Sequence, residues 1–170
     1  MGPGTRSRRL AAVATVAVAL AGAACSSSPG SGAGPSTVPS PSKSASEIRG
    51  AFHTLFDLAD PALAPKIAAV QDGSSIKAAI SHAIDSSLAK KAGGATISQV
   101  SIEHGSACRS ESLPSPCALV TYSIVSPSGK PLLPNSKGFA VYLAPKWYVS
   151  KETICTLLTF ANGNTAPAGC

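Results

Sequence analysis

The stretch GFAVYLAPKWYVSKETICTLL, Gly138 to Leu158, decides the fold class, because it passes from a strand pattern to a helix pattern within a few residues. Gly138 to Leu143 and Trp147 to Val149 are rich in aromatic and β-branched side chains. Pro145-Lys146 leaves room only for a tight connection, so the two runs predict an antiparallel hairpin. Ser150 then has the chemistry of an N-cap, and Ile154, Leu157, Leu158 and Ala161 share one face of a helix that Asn162-Gly163 ends. A hairpin that feeds straight into a helix of this kind closes a mixed domain.

Upstream, Thr96 to Ile102 and Cys117 to Val125 have the same strand composition and are set off by Pro, Gly and Ser. Leu119, Val120 and Ile124, like Phe139, Val141 and Tyr142, place apolar groups on both faces, which predicts central strands covered on both sides. Before the strands the period is helical. Ser44-Ala45-Ser46-Glu47 has the form of a capping box, and Ile48, Phe52, Leu55, Phe56 and Ala59 follow as one stripe until Asp60-Pro61. A short helical piece is expected between Ala62 and Val70, with a break at Asp72-Gly73. Ser74 or Ser75 caps a further helix through Ile76, Ala79, Ile80, Ala83, Ile84 and Leu88, with Lys90 and Lys91 at its negative end and Gly93-Gly94 beyond. Helices, then an antiparallel sheet, then a closing helix predict an α+β domain over residues 47–170.

The first 46 residues read differently. Arg6, Arg8 and Arg9 precede an uncharged apolar run from Leu10 to Ala21, about 18 Å long as a helix and short of the roughly 30 Å hydrocarbon core. This is the pattern of an export signal, 1–24. Ser7-Arg8-Arg9 also admits twin-arginine export, and the choice between the two routes stays open. The run closes on Leu20-Ala21-Gly22-Ala23-Ala24-Cys25, which resembles the lipobox of bacterial lipoproteins, although Gly22 stands where a larger aliphatic residue is usual. The resemblance implies cleavage before Cys25 and lipid on its thiol, so a place on the outer face of the cell membrane; cleavage at an A-x-A-like site and an uncleaved anchor are the alternatives. From Ser26 to Ser46 the chain holds 9 Ser, 4 Pro and 3 Gly, too little apolar surface to offset ordering entropy, which predicts a tether over 25–46 spanning about 25 Å.

Charge and cysteine content narrow the function. The chain has 14 basic and 8 acidic residues; without the three leader arginines the balance is 11 against 8, too small and scattered an excess for nucleic acid. Once Cys25 is committed to lipid, Cys108, Cys117, Cys155 and Cys170 remain. Outside the cytoplasm an even set pairs, with three connectivities open; neighbour pairing, Cys108 with Cys117 and Cys155 with Cys170, is favoured. No pair has the C-x₂₋₄-C spacing of structural zinc, and neither metal nor cofactor is expected.

Leu58-Ala59-Asp60-Pro61, Lys66, Val70-Gln71-Asp72-Gly73, and the later Trp147, Val149, Ser150 and Leu157-Leu158 together resemble the low-molecular-weight secreted antigens of mycobacteria and their relatives, over about Ile48 to Ala161. The resemblance implies a cone of helices on a curved antiparallel sheet, of the nuclear-transport-factor-2 or cystatin-like kind. It carries over no functional residue. The lipobox and the four cysteines depart from the family pattern.

His53 with Asp57 and His82 with Asp85 stand at helical spacings that permit a pair able to act as a general base, and His104 sits beside Glu103 and Gly105 at a strand end. No nucleophile elbow, phosphate loop or metal-binding helix accompanies them, so no catalytic residue is assigned. The expected function is a non-catalytic binding or interaction domain at the cell envelope. The alternatives are a carrier of an apolar small molecule or lipid, with Tyr122, Phe139, Tyr142 and Trp147 as candidate cavity lining, and a cavity enzyme. Partners are therefore the membrane through the anchor, and an apolar ligand or an envelope protein.

Overall fold

The computed structural model describes residues 38–170. The leader, Cys25 and the tether as far as residue 37 lie outside the described residues. The elements run α1 (Pro41–Phe56), α2 (Leu63–Ala68), a 3₁₀ turn (Gly73–Ile76), α3 (Lys77–Ile84), a second 3₁₀ turn (Ala89–Lys91), β1 (Gly94–Glu103), α4 (Ser106–Ser110), β2 (Cys117–Val125), β3 (Pro131–Leu143), β4 (Lys146–Val149) and α5 (Lys151–Ala161). The four strands form one antiparallel sheet in the order β1-β2-β3-β4, an α+β architecture. Among the described residues no helix is long and apolar enough to cross a membrane.

The alternation of β2 sets the two faces. Ala118, Val120, Tyr122 and Ile124 are buried beneath the helices, together with Ala140 and Tyr142 of β3 and Trp147 and Val149 of β4. Ile48, Phe52, Leu55 and Phe56 of α1 close over them, and the rings of Phe52 and Phe56 lie 5.4 Å and 5.5 Å from that of Tyr122. The opposite face is covered only at one end, where Cys108, Leu113, Cys117 and Val141 pack with Phe139 and Tyr148. Expected cover on both sides is therefore partial, because among the described residues short α4 and the loop carrying Leu113 cover that face at one end.

Two boundaries differ from the sequence reading. Helix α1 begins at Pro41, not at Ser44, so Pro41 to Ser46 belongs to the domain and the tether ends earlier than residue 46. Proline at the first helical position loses no intrahelical bond and arrives with helical φ, which offsets the serine-rich composition. Ser44 is then fully buried inside the helix, its hydroxyl donating to Pro39 O at 3.1 Å. Helix α3 ends at Ile84, and the chain turns through Asp85–Leu88 before the second 3₁₀ turn. Apolar spacing continues across that turn, which is why the pattern alone extended the helix to Leu88.

The segment Val70-Gln71-Asp72-Gly73 docks on the free edge of β4. Gln71 N–H donates to Val149 O at 2.8 Å, Val149 N–H donates to Ala69 O at 2.9 Å, and Val70 bridges Val149 in parallel. Asp72 takes a left-handed conformation (φ 50°), and a Cβ at Gly73 would collide with Ile67 O.

Strand β4 stops at Val149, while β3 continues past it. Phe139 would be left with an unpaired N–H and C=O. Ser150 N–H donates to Phe139 O at 2.8 Å, and Phe139 N–H donates to Thr153 Oγ1 at 2.6 Å. Thr153 N–H donates to the Ser150 hydroxyl at 3.1 Å, the N-cap read from the sequence. Gly138 gives this knot its space: a Cβ there would sit 2.5 Å from Thr153 Cγ2 and 3.1 Å from the Tyr122 ring. Gly138→Ala is expected to lower stability by about 1–3 kcal/mol through overpacking. Urea unfolding followed by circular dichroism measures it, and an unchanged midpoint would show that the knot has slack.

Candidate functional site

The apolar side chains that α1, α3 and α5 do not bury against the sheet face one another across a half-open cleft. Leu55 and Phe56 close one end, Ile80, Ala83 and Ile84 of α3 form one wall, and Ile154, Leu157, Leu158 and Ala161 of α5 form the other. Leu88, Ala89 and Ala92 of the following turn and Ile124 at the end of β2 complete it, with a volume of about 80 Å³. Ser86 and Lys66 are its polar members. An adjoining hollow of about 160 Å³ shares Ala83, Ser86, Leu158 and Ala161 and adds Ala79, His82, Asn162 and Pro167. The walls are small or aliphatic, so the cleft offers dispersion and water exclusion but few directed hydrogen bonds.

Lys66 is 1% exposed. Its Nζ donates to Asp60 O at 2.6 Å and to Ala62 O at 3.5 Å. The turn it supports is knit by its own aspartates, Asp60 N–H donating to Asp57 Oδ1 at 3.3 Å and Ala62 N–H to Asp60 Oδ1 at 2.8 Å. Leu58-Ala59-Asp60-Pro61 and Lys66 are thus one structural unit. Among the described residues no carboxylate forms an ion pair with Lys66.

The four residues proposed as cavity lining lie elsewhere. Tyr122, Tyr142 and Trp147 are buried in the main core, with Tyr142 and Trp147 rings 5.5 Å apart, and Phe139 packs on the other face of the sheet. Inward-facing aromatics of a strand meet α1 directly, so they fill space and leave the opening to the helices. The sequence signal for the true lining was the apolar series that runs through Ile84, the last residue of α3, and on to Leu88.

Both histidine–aspartate spacings occur without the contact they would need. Among the described residues neither His53 nor His82 bonds to the aspartate that follows it, and Asp57 is engaged with Asp60 N–H. His53 and Asp57 border a separate hollow of about 260 Å³ with Gly93 and Gly94; His82 borders the apolar one. His104 is exposed beyond β1. Among the described residues no group of three His, Cys, Asp or Glu is placed to hold a metal ion.

The cysteines pair as neighbours. Cys108–Cys117 joins α4 to β2 behind the sheet, with Cα atoms 5.7 Å apart. Cys155–Cys170 ties the C-terminal tail to α5, with Cα atoms 5.4 Å apart. That tail brings Pro167 to the rim of the adjoining hollow and lays Gly169 against Ser75 O.

A family model described as the low molecular weight antigen MTB12, C-terminal domain, matches residues 41–165. No curated protein and no solved structure matches the chain.

Burial pushes the Tyr122 hydroxyl up to about 12 from its ordinary 10.0. As pH rises past 10 the unfolded chain gives up this proton while the folded chain keeps it. The stability the neutral phenol confers is complete below that point and is lost toward pH 12, by at most about 1.4 kcal/mol per pH unit. Urea unfolding at about pH 9 and about pH 11 should therefore show a loss roughly 1 kcal/mol larger in the native chain than in Tyr122→Phe; equal losses would place the phenol in contact with water.

Proposed function

We propose that this chain, which belongs to the family of the low molecular weight antigen MTB12 C-terminal domain over residues 41–165, is a cell-envelope lipoprotein that displays a small non-catalytic binding domain. Cys25 carries the anchor: two acyl chains hold a protein stably at a bilayer, each buried methylene contributing about 0.8 kcal/mol. The Ser, Pro and Gly residues that follow lift the domain clear of the headgroups. The cleft between α3 and α5 is the binding surface.

The observation that carries the binding reading is the cleft itself. A domain with a buried core and two disulfides has every means to bring α3 and α5 together, yet Leu157, Ile84 and Leu88 are left only partly covered around an opening. Apolar surface left in a concave site is the ordinary mark of a ligand surface on a small extracytoplasmic domain. An apolar ligand, carried or sensed, suits it better than a reaction, since the histidines lack the partners that general-base chemistry requires.

Two measurements test the two halves separately. Metabolic labelling with an alkyne fatty acid should mark the native chain and leave Cys25→Ala unlabelled and released; equal labelling of both would remove the anchor. Native mass spectrometry of the full chain from its own host should find an apolar small molecule that Ala83→Trp, which fills the cleft, excludes. A chain with no ligand in either form would count against the cleft as a binding surface.

A further inference from the structure

An ammonium group at the wall of an aliphatic cleft is costly unless something compensates it. Lys66 has three N–H donors, of which one makes a short bond to Asp60 O and another a long one, 3.5 Å, to Ala62 O. Two carbonyl dipoles offset part of the charge. They do not neutralise it, and the nearby carboxylates of Asp57 and Asp60 are turned to backbone N–H groups of their own turn. Lys66, 1% exposed and with no ion-pair partner among the described residues, is thus one of the residues that line the markedly apolar cleft described above.

From this pairing we infer that the cleft takes an anionic amphiphile, an alkanoate whose carboxylate pairs with Lys66 Nζ and whose alkyl chain lies between α3 and α5. The inference rests on the reading of the cleft as a binding surface and specifies its ligand. A single ammonium suits a monoanionic carboxylate; a phosphate dianion calls for further donors, such as a guanidinium fork, and no arginine is among the described residues that line this cleft. The volume sets the chain. About 80 Å³ beside Lys66, opening past Ala83 and Leu158 into about 160 Å³ more, accommodates one alkyl chain of medium length and not the paired tails of a diacyl lipid. His82 lines the far hollow, where the chain end of the ligand emerges.

Isothermal titration of the full chain with sodium decanoate and with decanol, both below their aggregation limits at neutral pH, separates the charge from the cleft. Decanoate should bind one to one and at least roughly tenfold more tightly than decanol, the margin a charge-assisted bond in a dry site gives. Lys66→Met should bring the two ligands level, Lys66→Arg should keep most of the preference, and Ala83→Trp should abolish both. If Lys66→Met does not fold, the comparison in the native chain decides by itself. Equal affinities there would overturn the pairing with Lys66 and leave the cleft as an apolar site; binding of neither ligand would overturn both.

Discussion

Helix α5 can wall a cleft only because a knot of buried hydrogen bonds fixes its first turn to β3. Strand β4 is four residues long and stops short of Phe139, whose N–H and C=O must find partners elsewhere. Ser150 through its backbone N–H and Thr153 through its hydroxyl, both buried, supply them, and the Ser150 hydroxyl caps the helix by accepting from Thr153 N–H. One small set of groups thus ends a strand, starts a helix and sets the angle at which Ile154 and Leu158 leave the sheet. Unmaking it would orphan backbone groups inside the core, each at a cost of about 1–3 kcal/mol.

The other edge of β4, away from β3, is held at Val149 by a different part of the chain. Ala69 and Gln71 bond to Val149, so the link between α2 and α3 behaves as a short added strand. Lys151 donates its backbone N–H to Gln71 Oε1 at 3.3 Å, and its Nζ lies 3.6 Å from Asp72 Oδ2. α3 and α5, distant in sequence, are therefore positioned against the same four-residue strand. Their separation is a property of β4 and its two flanks more than of any contact between the helices.

This explains what could be read from residues alone. Ser150 as cap, the hairpin around Ala144-Pro145, and the neighbour disulfides depend on groups within about one turn or loop of each other, and composition reports such relations well. Helix α4 was invisible because its five residues, Ser106 to Ser110, carry no apolar period; the bridge from Cys108 holds it in place. The cleft was not legible for a stronger reason. Its walls come from α1, α3 and α5, and whether Ile84 or Tyr122 faces a void depends on which helix lies above each strand. Tyr122 meets Phe52 and Phe56 and is sealed; Ile84 meets the alanines of a turn and is not.

Those alanines are why the opening persists. Packing alone would draw α3 and α5 together, since every methylene removed from water contributes about 0.8 kcal/mol. The helices cannot respond. α5 is fixed to β3 at its start and, through Cys155–Cys170, carries a tail whose Gly169 lies against Ser75 at the foot of α3. With both helices held at their ends, the distance between them is set, and only side chains can fill it. Ala83, Ala89, Ala92 and Ala161 are too short to do so. A leucine at one or two of these positions would close the gap with no change of backbone, so the cleft is a consequence of side-chain length at a few wall positions. The buried charge of Lys66 belongs to the same economy: a lysine stem long enough to brace the Asp60–Ala62 turn with its ammonium also lines the cleft.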